Sequence, residues 1–282
     1  MKFTNRDADL FVPDGATEDA AFGRTTHLGI GAHQDDLEIM SWHGILECYH
    51  SETDWYLGVT VTDGQGSARS GPYASYTNEE MAAVRRAEQR KAASLGDYAG
   101  MVQLCYTSAA VKDLLSPALT AELKDILLRA KPKVVYTHNL ADKHDTHVGV
   151  ALRTLKAIRE LPRDARPAKL LGCEVWRNLD WMQDEDKTVL DVSRHESLAV
   201  AAVSLYDSQV AGGKRYDLAT IGRWRANATY YASHGVDTAS LMVFAMDLTP
   251  LVQDESLNPA EYVKRYMDRF TGDVVARLGK LA

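Results

Sequence analysis

Short apolar runs alternate with amphipathic stretches along the first half of the chain. Four of these runs have the length and composition of buried strands, and they lie at residues 26–32, 55–62, 101–106 and 131–138. Segments with apolar residues at helical spacing separate them. This alternation predicts a Rossmann-like α/β fold, in which helices cover both faces of a doubly wound, mostly parallel sheet.

Capping residues predict where several helices begin and end. The helix after the first run extends to about Tyr49, and a Gly/Ser/Tyr-rich loop at 63–77 precedes the next helix. That helix has Asn78 as its predicted N-cap, acidic residues in its first turn and Gly96 at its end. A further helix follows the fourth run and reaches about Glu160.

The second half of the chain continues this pattern less regularly. Two strands and two helices are predicted, with the strands at 170–176 and 241–248 and the helices at about 194–208 and 213–234. A helical tail follows. Because no repeat or low-complexity tract interrupts the chain, we expect a single domain over residues 1–282. Its core would occupy about 26–210, and about 211–282 would form a C-terminal elaboration.

Composition and charge argue against several classes of function. The 282 residues carry a formal net charge of −7, so no basic surface predicts a nucleic acid or an anionic membrane as partner. No apolar run approaches the roughly 18 residues that a membrane-spanning helix needs, and the start of the chain lacks an apolar signal core. We therefore expect a cytoplasmic protein without membrane insertion. The three cysteines lack Cys-x-x-Cys spacing, which argues against a zinc knuckle or a disulfide framework.

Two clusters of chemically active side chains follow the first and the fourth predicted strands. His33, Asp35 and Asp36 form the first cluster, and His144 and His147 form the second. Residues three apart at the start of a helix face the same way, so each loop presents a matched pair. In the strand order 3-2-1-4-5 these two strands are neighbours where the order reverses. The crevice beyond their carboxyl ends is the usual ligand site in such sheets.

The residue types in the two clusters suit metal-dependent hydrolysis. Two imidazoles and one carboxylate, with positions left for water and substrate, are typical of a catalytic zinc site, and the same ligands suit iron(II). Such a metal lowers the pKa of water and polarises a carbonyl oxygen. Of two adjacent aspartates, one can bind the metal while its neighbour takes a proton from the metal-activated water. His138, nearest to the strand, is expected to support the site or the core rather than to bind the metal.

Five stretches of the chain resemble motifs of the PIG-L/LmbE family of zinc-dependent N-acetylglucosaminyl deacetylases. A-H-Q-D-D-L-E at 32–38 resembles the family's A-H-P-D-D-x-E, and D-K-H-D-T-H at 142–147 resembles its D-x-H-P-D-H. T-D-G-Q-G-S after the second strand resembles T-x-G-E-x-G. The helix from Arg85 resembles the family's R-x-x-E helix, and L-Y-D-S-Q at 205–209 resembles Y-x-S-Q. The resemblance spans about residues 26–210.

The resemblance implies functions for six residues. By position in the motifs, the implied metal ligands are His33, Asp36 and His147. Asp35 is the implied general base, and His144 stabilises the oxyanion or protonates the leaving amine. Arg85 braces the site through Asp35 or the substrate. The implied reaction removes the acetyl group from a small-molecule N-acetylated sugar or conjugate, with zinc as cofactor. The assembly state stays open, a homo-oligomer included.

Two positions depart from the family motifs. Gln34 replaces a proline, which should lower the rigidity of the loop without changing the chemistry. Thr146 replaces an aspartate that in the family orients the histidine matching His144. Unless Asp145 or Asp142 substitutes for that carboxylate, a protonated imidazole at this position should be less stabilised.

Several alternative interpretations stay open on the sequence alone. G-I-G-A-H-Q follows a strand as a dinucleotide-binding fingerprint does, but its third glycine is missing and two aspartates occupy the place of the pyrophosphate. The motifs also suit the same hydrolytic machinery acting on a different amide, or a non-catalytic metal-containing sugar-binding module. Arg85 and Glu88 have the spacing of an exposed ion pair. Trp176 is expected to serve packing rather than sugar binding.

Overall fold

Eight strands form one sheet in the computed structural model, which describes residues 1–282. The strands are β1 (Asp9–Phe11), β2 (His27–Gly31), β3 (Tyr56–Thr62), β4 (Gly100–Tyr106), β5 (Val134–His138), β6 (Lys169–Cys173), β7 (Lys187–Asp191) and β8 (Met242–Asp247). Their order in the sheet is β1-β4-β3-β2-β5-β6-β8-β7. The five strands from β4 to β6 pair in parallel, whereas β1, β8 and β7 pair antiparallel. The predicted mostly parallel α/β sheet is confirmed.

The order of the strands reverses between β2 and β5. From β2 the chain adds β3 and then β4 on one side, and it later places β5 and β6 on the other side. The first and fourth predicted strands are therefore neighbours, as the strand order 3-2-1-4-5 required. In a sheet of this kind the crevice at the reversal point, beyond the carboxyl ends of the strands, is the usual ligand site.

Twelve α-helices connect or flank the strands. They are α1 (Glu18–Gly23), α2 (Asp36–Met40), α3 (Trp42–Cys48), α4 (Asn78–Leu95), α5 (Ser108–Lys112), α6 (Ala118–Ala130), α7 (Asp145–Arg159), α8 (Glu196–Ser204), α9 (Asp207–Val210), α10 (Tyr216–Tyr230), α11 (Thr249–Gln253) and α12 (Pro259–Leu281). None of them combines the length and the apolar character needed to cross a membrane.

The structure corrects two local predictions and adds two edge strands. The N-cap of α4 is Thr77 rather than Asn78, because the Thr77 hydroxyl accepts a bond from the Glu80 N–H while the Glu80 carboxylate accepts one from the Thr77 N–H. The helix predicted up to Tyr49 is divided at Ser41, whose backbone leaves the helical conformation. The edge strands β1 and β7 were not predicted, because β1 has only three residues and β7 is incompletely buried.

Both faces of the sheet are covered. Alternate residues of β8 belong to two separate apolar clusters, with Phe244 and Met246 in one and Val243 and Ala245 in the other. This alternation shows that helices pack on each side of the strand. β8 lies between β6 and β7, so a segment beyond residue 210 completes the sheet.

The helix that carries the second cluster is held in place by a buried arginine. Arg153 on α7 is 1% exposed, and its guanidinium donates to the carbonyl oxygens of Ala110, Val111, Asp113 and Ser116. These carbonyls lie in and after α5, so the bonds fix α7 against that segment.

We expect Arg153→Met to lower the free energy of unfolding by about 3 kcal/mol, because it leaves several buried carbonyl oxygens without a donor. Urea unfolding of the purified protein measures this loss. Lys156→Met is the matched control, since Lys156 is exposed on the same helix. Equal unfolding free energies for the two variants would contradict the role assigned to Arg153.

Candidate metal centre

The two predicted clusters meet at the carboxyl ends of β2 and β5. The first cluster occupies the turn between the end of β2 and Asp36, the first residue of α2. The second occupies the loop after β5, where His144 is the N-cap of α7 and His147 lies in its first turn. Because β2 and β5 are adjacent and parallel, the two loops open into the same crevice.

Three side chains bring nitrogen and oxygen atoms to one point, here called the triad: His33, Asp36 and His147. His33 Nδ1 lies 3.2 Å from His147 Nε2 and 3.3 Å from Asp36 Oδ2. Asp36 Oδ2 lies 3.5 Å from His147 Nε2. Ligand atoms that surround zinc tetrahedrally at bond lengths near 2.0–2.1 Å are separated by about 3.3–3.4 Å. The triad therefore fits a metal ion, and it is the ligand set that the resemblance implied.

Two further histidines lie within reach of the triad. His138 Nε2 is 3.4 Å from Asp36 Oδ2, but it accepts a hydrogen bond from the Ala32 N–H at 2.9 Å. That bond occupies the lone pair which a metal would need, and the His138 ring stacks on His147 with centroids 3.8 Å apart. His144 also lies close enough to His33 and His147 to join a ligand group with them. His138 thus supports the triad, in line with its predicted place.

Asp142 orients the His147 ring by contacting the ring nitrogen that faces away from the other triad residues. Its Oδ2 lies 3.3 Å from His147 Nδ1 and also accepts a hydrogen bond from the backbone N–H of Trp176 at 3.2 Å. A carboxylate at this nitrogen favours the tautomer whose Nε2 lone pair faces the triad. Burial lowers the pKa of His147 to about 3, so its imidazole is neutral near pH 7, as a metal ligand must be.

Asp35 and Asp36 are neighbours in sequence but turn to different partners. Asp35 has a φ of 92°, a left-handed conformation that is uncommon for a residue with a side chain. Its carboxylate lies 3.2 Å from Arg85 Nη1, and its N–H donates to Gln89 Oε1 at 3.3 Å. Burial raises the pKa of Asp35 to about 7, and the guanidinium of Arg85 opposes this rise. A carboxylate outside the triad is thus held beside it, on the wall of a cavity.

Arg85 does not form an exposed ion pair with Glu88. Both side chains are buried, at 2% and 4% exposure. Glu88 accepts hydrogen bonds from the Ser208 N–H at 2.7 Å and from its hydroxyl at 2.6 Å, whereas Arg85 binds Asp35 and the carbonyl oxygen of Gln34. The alternative of a surface ion pair is therefore wrong, and Arg85 contacts the candidate base directly.

Gln34 compensates for the proline that it replaces. Its side chain is 1% exposed, and its Nε2 donates to the carbonyl oxygen of Thr62 at 3.1 Å. This bond ties the loop after β2 to the end of β3. The loss of loop rigidity expected from the sequence is thus offset by a side-chain hydrogen bond.

His144 lacks the carboxylate partner that the family motif supplies. Its Nδ1 is buried without a hydrogen-bond partner, and Asp142 binds the backbone N–H of His144 at 3.0 Å instead of the ring. Burial, followed by the nearby His33, lowers the pKa of His144. The replacement at Thr146 therefore leaves an imidazole for which the neutral form is favoured.

A cavity of about 470 Å³ opens in front of these groups. One wall is formed by residues 62–68, where Asp63, Gly64 and Gly66 are both a turn and part of the lining. The lining also contains side chains that the sequence did not single out as functional: Trp176, Lys214, Tyr216 and Arg223. Trp176 follows β6 at the same edge of the sheet as the triad, which was the available signal. The other three belong to no motif.

Part of the chain matches a known protein family. Residues 28–158 match the family model described as PIG-L: GlcNAc-PI de-N-acetylase. The search of curated proteins found no match.

Several solved structures share the fold. N,N'-diacetylchitobiose deacetylase from Pyrococcus horikoshii is 16% identical with a TM-score of 0.59, over 82% of this chain and 88% of that one. GalB, the 4-carboxy-2-hydroxymuconate hydratase from Pseudomonas putida KT2440, is 15% identical with a TM-score of 0.59, over 79% and 96%. The A40926 pseudoaglycone deacetylase Dbv21 is 16% identical with a TM-score of 0.56, over 79% and 97%. At these identities the likeness shows the fold.

Proposed function

Because residues 28–158 match the PIG-L family model, we propose that the chain is a metal-dependent hydrolase that removes the N-acetyl group of an amino sugar or sugar conjugate. The observation that carries the proposal is the pairing of two functions in adjacent residues. Asp36 belongs to a triad that fits a metal ion, while the carboxylate of Asp35 is paired with Arg85 and does not belong to the triad. Metal-assisted hydrolysis needs both a ligand set and a base that is not a ligand.

The proposed ligands are His33, Asp36 and His147, and zinc or iron(II) suits this donor set. A bound divalent metal supplies Lewis acidity toward the acetyl carbonyl and makes water more acidic. Asp35 accepts the proton of the attacking water, since its raised pKa brings it near the working pH. It can then pass that proton to the amine nitrogen as the C–N bond breaks.

His144 is proposed to donate a hydrogen bond to the oxygen that becomes negative during the attack. Its ring lies beside those of His33 and His147, with centroid distances of 5.0 and 4.5 Å. A lowered pKa and a missing carboxylate partner favour a neutral N–H donor over a charged acid. Of the two functions that the resemblance implies for His144, we therefore propose oxyanion stabilisation rather than protonation of the leaving amine.

The test of the function is a combined metal and product analysis. The protein is purified without chelators, its metal content is measured, and acetate and free amine are quantified with N-acetylglucosamine, diacetylchitobiose and N-acetylated conjugates. About one equivalent of metal with equimolar acetate and amine supports the proposal. Bound metal without acetate release would favour the sugar-binding module, or the hydration chemistry named for the Pseudomonas putida neighbour.

We expect Arg85→Met to move the acidic limb of the pH–rate profile upward by about one pH unit or more. Asp35 acts in its deprotonated form, and the guanidinium of Arg85 lowers the pKa of that carboxyl. Without this cation the pKa rises, so a higher pH is needed to deprotonate the base. The profile of kcat/KM against pH measures the shift, and Arg85→Lys should shift it less. An unmoved acidic limb would show that Arg85 does not act through Asp35.

A further inference from the structure

The cavity has one wall that is basic although the chain as a whole is acidic. This basic wall consists of Val175, Trp176, Lys214, Tyr216 and Arg223. The net charge of the chain is −7, so the sign of this group of side chains is opposite to that of the chain as a whole. The loop at residues 62–68 also lines the cavity and contributes the carboxylate of Asp63. A cavity whose lining contains charged groups of both signs can select the orientation of a charged ligand.

Neither Lys214 nor Arg223 forms a salt bridge, although the charge of Arg223 opposes the burial that raises the pKa of Glu174. The Arg223 side chain makes one bond, from Nη1 to the carbonyl oxygen of Val175. Lys214 Nζ lies 5.3 Å from the centroid of the Trp176 ring and donates to no protein oxygen. The acid nearest to Lys214 in sequence, Asp217, is paired with Arg215. Lys214 is exposed and Arg223 is half-buried, and both line the cavity without a carboxylate partner, so they can bind an anion there.

A short series of contacts fixes the basic wall relative to the triad. Arg223 donates a hydrogen bond to the carbonyl oxygen of Val175. The backbone N–H of Trp176, the residue after Val175, donates to Asp142 Oδ2 at 3.2 Å. The same oxygen lies 3.3 Å from Nδ1 of His147, a triad residue. The position of the basic wall is therefore coupled to the position of the proposed metal ligands, as a specificity pocket requires.

We infer that the substrate is an anionic amino sugar, whose phosphate or carboxylate group pairs with Lys214 and Arg223 while its N-acetyl group reaches Asp35 and the triad. This inference rests on the proposed function and adds a substrate class to it. Phosphate and carboxylate share the chemistry that Lys and Arg recognise. The cavity volume of about 470 Å³ lies in the range of small-molecule sites, about 300–1,000 Å³. The centroid of the Trp176 ring lies 6.3 Å from that of His144 and 5.3 Å from Lys214 Nζ, so the ring offers a surface for the sugar near both groups.

The test compares three N-acetylated probes: neutral N-acetylglucosamine, N-acetylglucosamine 6-phosphate and N-acetylmuramic acid, which carries a carboxylate. We expect kcat/KM to be higher for at least one anionic probe than for the neutral one. Lys214→Met should lower kcat/KM for the preferred anionic probe by about tenfold to a hundredfold, the value of one hydrogen bond to a charged group. The ratio of anionic to neutral kcat/KM should also fall with rising ionic strength. The probe preferred by the wild type identifies phosphate or carboxylate as the anion.

Lys91→Met is the matched control, because Lys91 is exposed on α4 and lies outside the cavity. It should leave the anionic-to-neutral ratio unchanged. Three outcomes would overturn the inference: a preference for the neutral probe, equal kcat/KM for all three probes, or an anionic preference that Lys214→Met leaves intact. The last outcome would mean that another group, such as the metal, holds the anion.

Binding measurements separate this inference from the proposed function. Isothermal titration of the metal-loaded Asp35→Asn variant measures the affinity for each probe without turnover. The double variant with Lys214→Met measures the contribution of the lysine. Tighter, Lys214-dependent binding of an anionic probe supports the basic wall even where the wild type releases no acetate. Equal binding of neutral and anionic probes, or no binding of either anionic probe, overturns the inference even where hydrolysis is found.

Discussion

Replacing Asp35 with asparagine is expected to lower kcat for amine release by roughly 10²–10⁴-fold, the usual contribution of a positioned general base. Asparagine has nearly the same shape, so it can keep a contact to Arg85, which lies 3.2 Å from the Asp35 carboxylate. It cannot accept a proton from water. The expected signature is therefore a large loss in kcat with metal content near that of the wild type, because Asp35 lies outside the triad.

The matched variant is Asp36→Asn, one residue further along the chain. Asp36 Oδ2 lies within 3.5 Å of a ring nitrogen on both triad histidines, so this substitution should lower metal content together with activity. Metal analysis and single-turnover kinetics of the two variants separate a base from a ligand. If Asp35→Asn lost its metal, or Asp36→Asn kept both metal and turnover, the division of labour between the two aspartates would be wrong.

The adjacent aspartates illustrate how much of the site could be predicted from the sequence. A stability argument explains one capping residue at a helix start, and two carboxylates beside a histidine exceed that need. The alternation of strands and helices then places the second histidine cluster at the neighbouring strand end, where the strand order reverses. The structure brings His33, Asp36 and His147 within 3.5 Å of one another across that edge. Local pattern and topology are sufficient here because both clusters follow regular strands.

Burial and loop conformation could not be predicted in the same way. Arg85 and Glu88 have the spacing of a surface ion pair. Only the packing of α9 against α4 reveals that Ser208 donates hydrogen bonds to the Glu88 carboxylate. Similarly, the hydrogen bond from Gln34 to Thr62 depends on the distance between the loop after β2 and the end of β3, which lie 28 residues apart in the chain. Such contacts are set by tertiary structure, which periodicity does not encode.

The basic wall of the cavity marks the limit of motif-based prediction. Lys214 lies just before α10 and Arg223 lies within it. The surrounding sequence has no metal-ligand or nucleotide-binding spacing. They line the same cavity as His33 and Asp36 because β6 ends at the same edge of the sheet as β5, and the residues after β6 contact α10. Substrate-contacting residues of a fold often lie on such connecting segments, which vary while the scaffold is kept.

His147→Ala is expected to abolish metal binding and hydrolysis together. Loss of a residue that only supports a ligand commonly lowers metal affinity by about 10–100-fold, so the loss of a ligand itself should exceed that range. The buried His147 lies at the centre of the site, 3.2 Å from His33 Nδ1 and 3.3 Å from Asp142 Oδ2. Metal titration followed by an assay of acetate release measures both effects.

His50→Ala is the control for the loss of a histidine, because the side chain of His50 is 69% exposed and its only ion pair is with the exposed Asp97. It should keep metal and activity.

A second measurement checks the fold. Adding zinc should raise the thermal midpoint of the wild type, by an amount that corresponds to about 4 kcal/mol at a thousandfold excess over the dissociation constant. The same addition should leave the midpoint of a folded His147→Ala protein nearly unchanged. A variant that is stabilised by zinc as strongly as the wild type would remove His147 from the ligand set and, with it, the proposed geometry of the reaction.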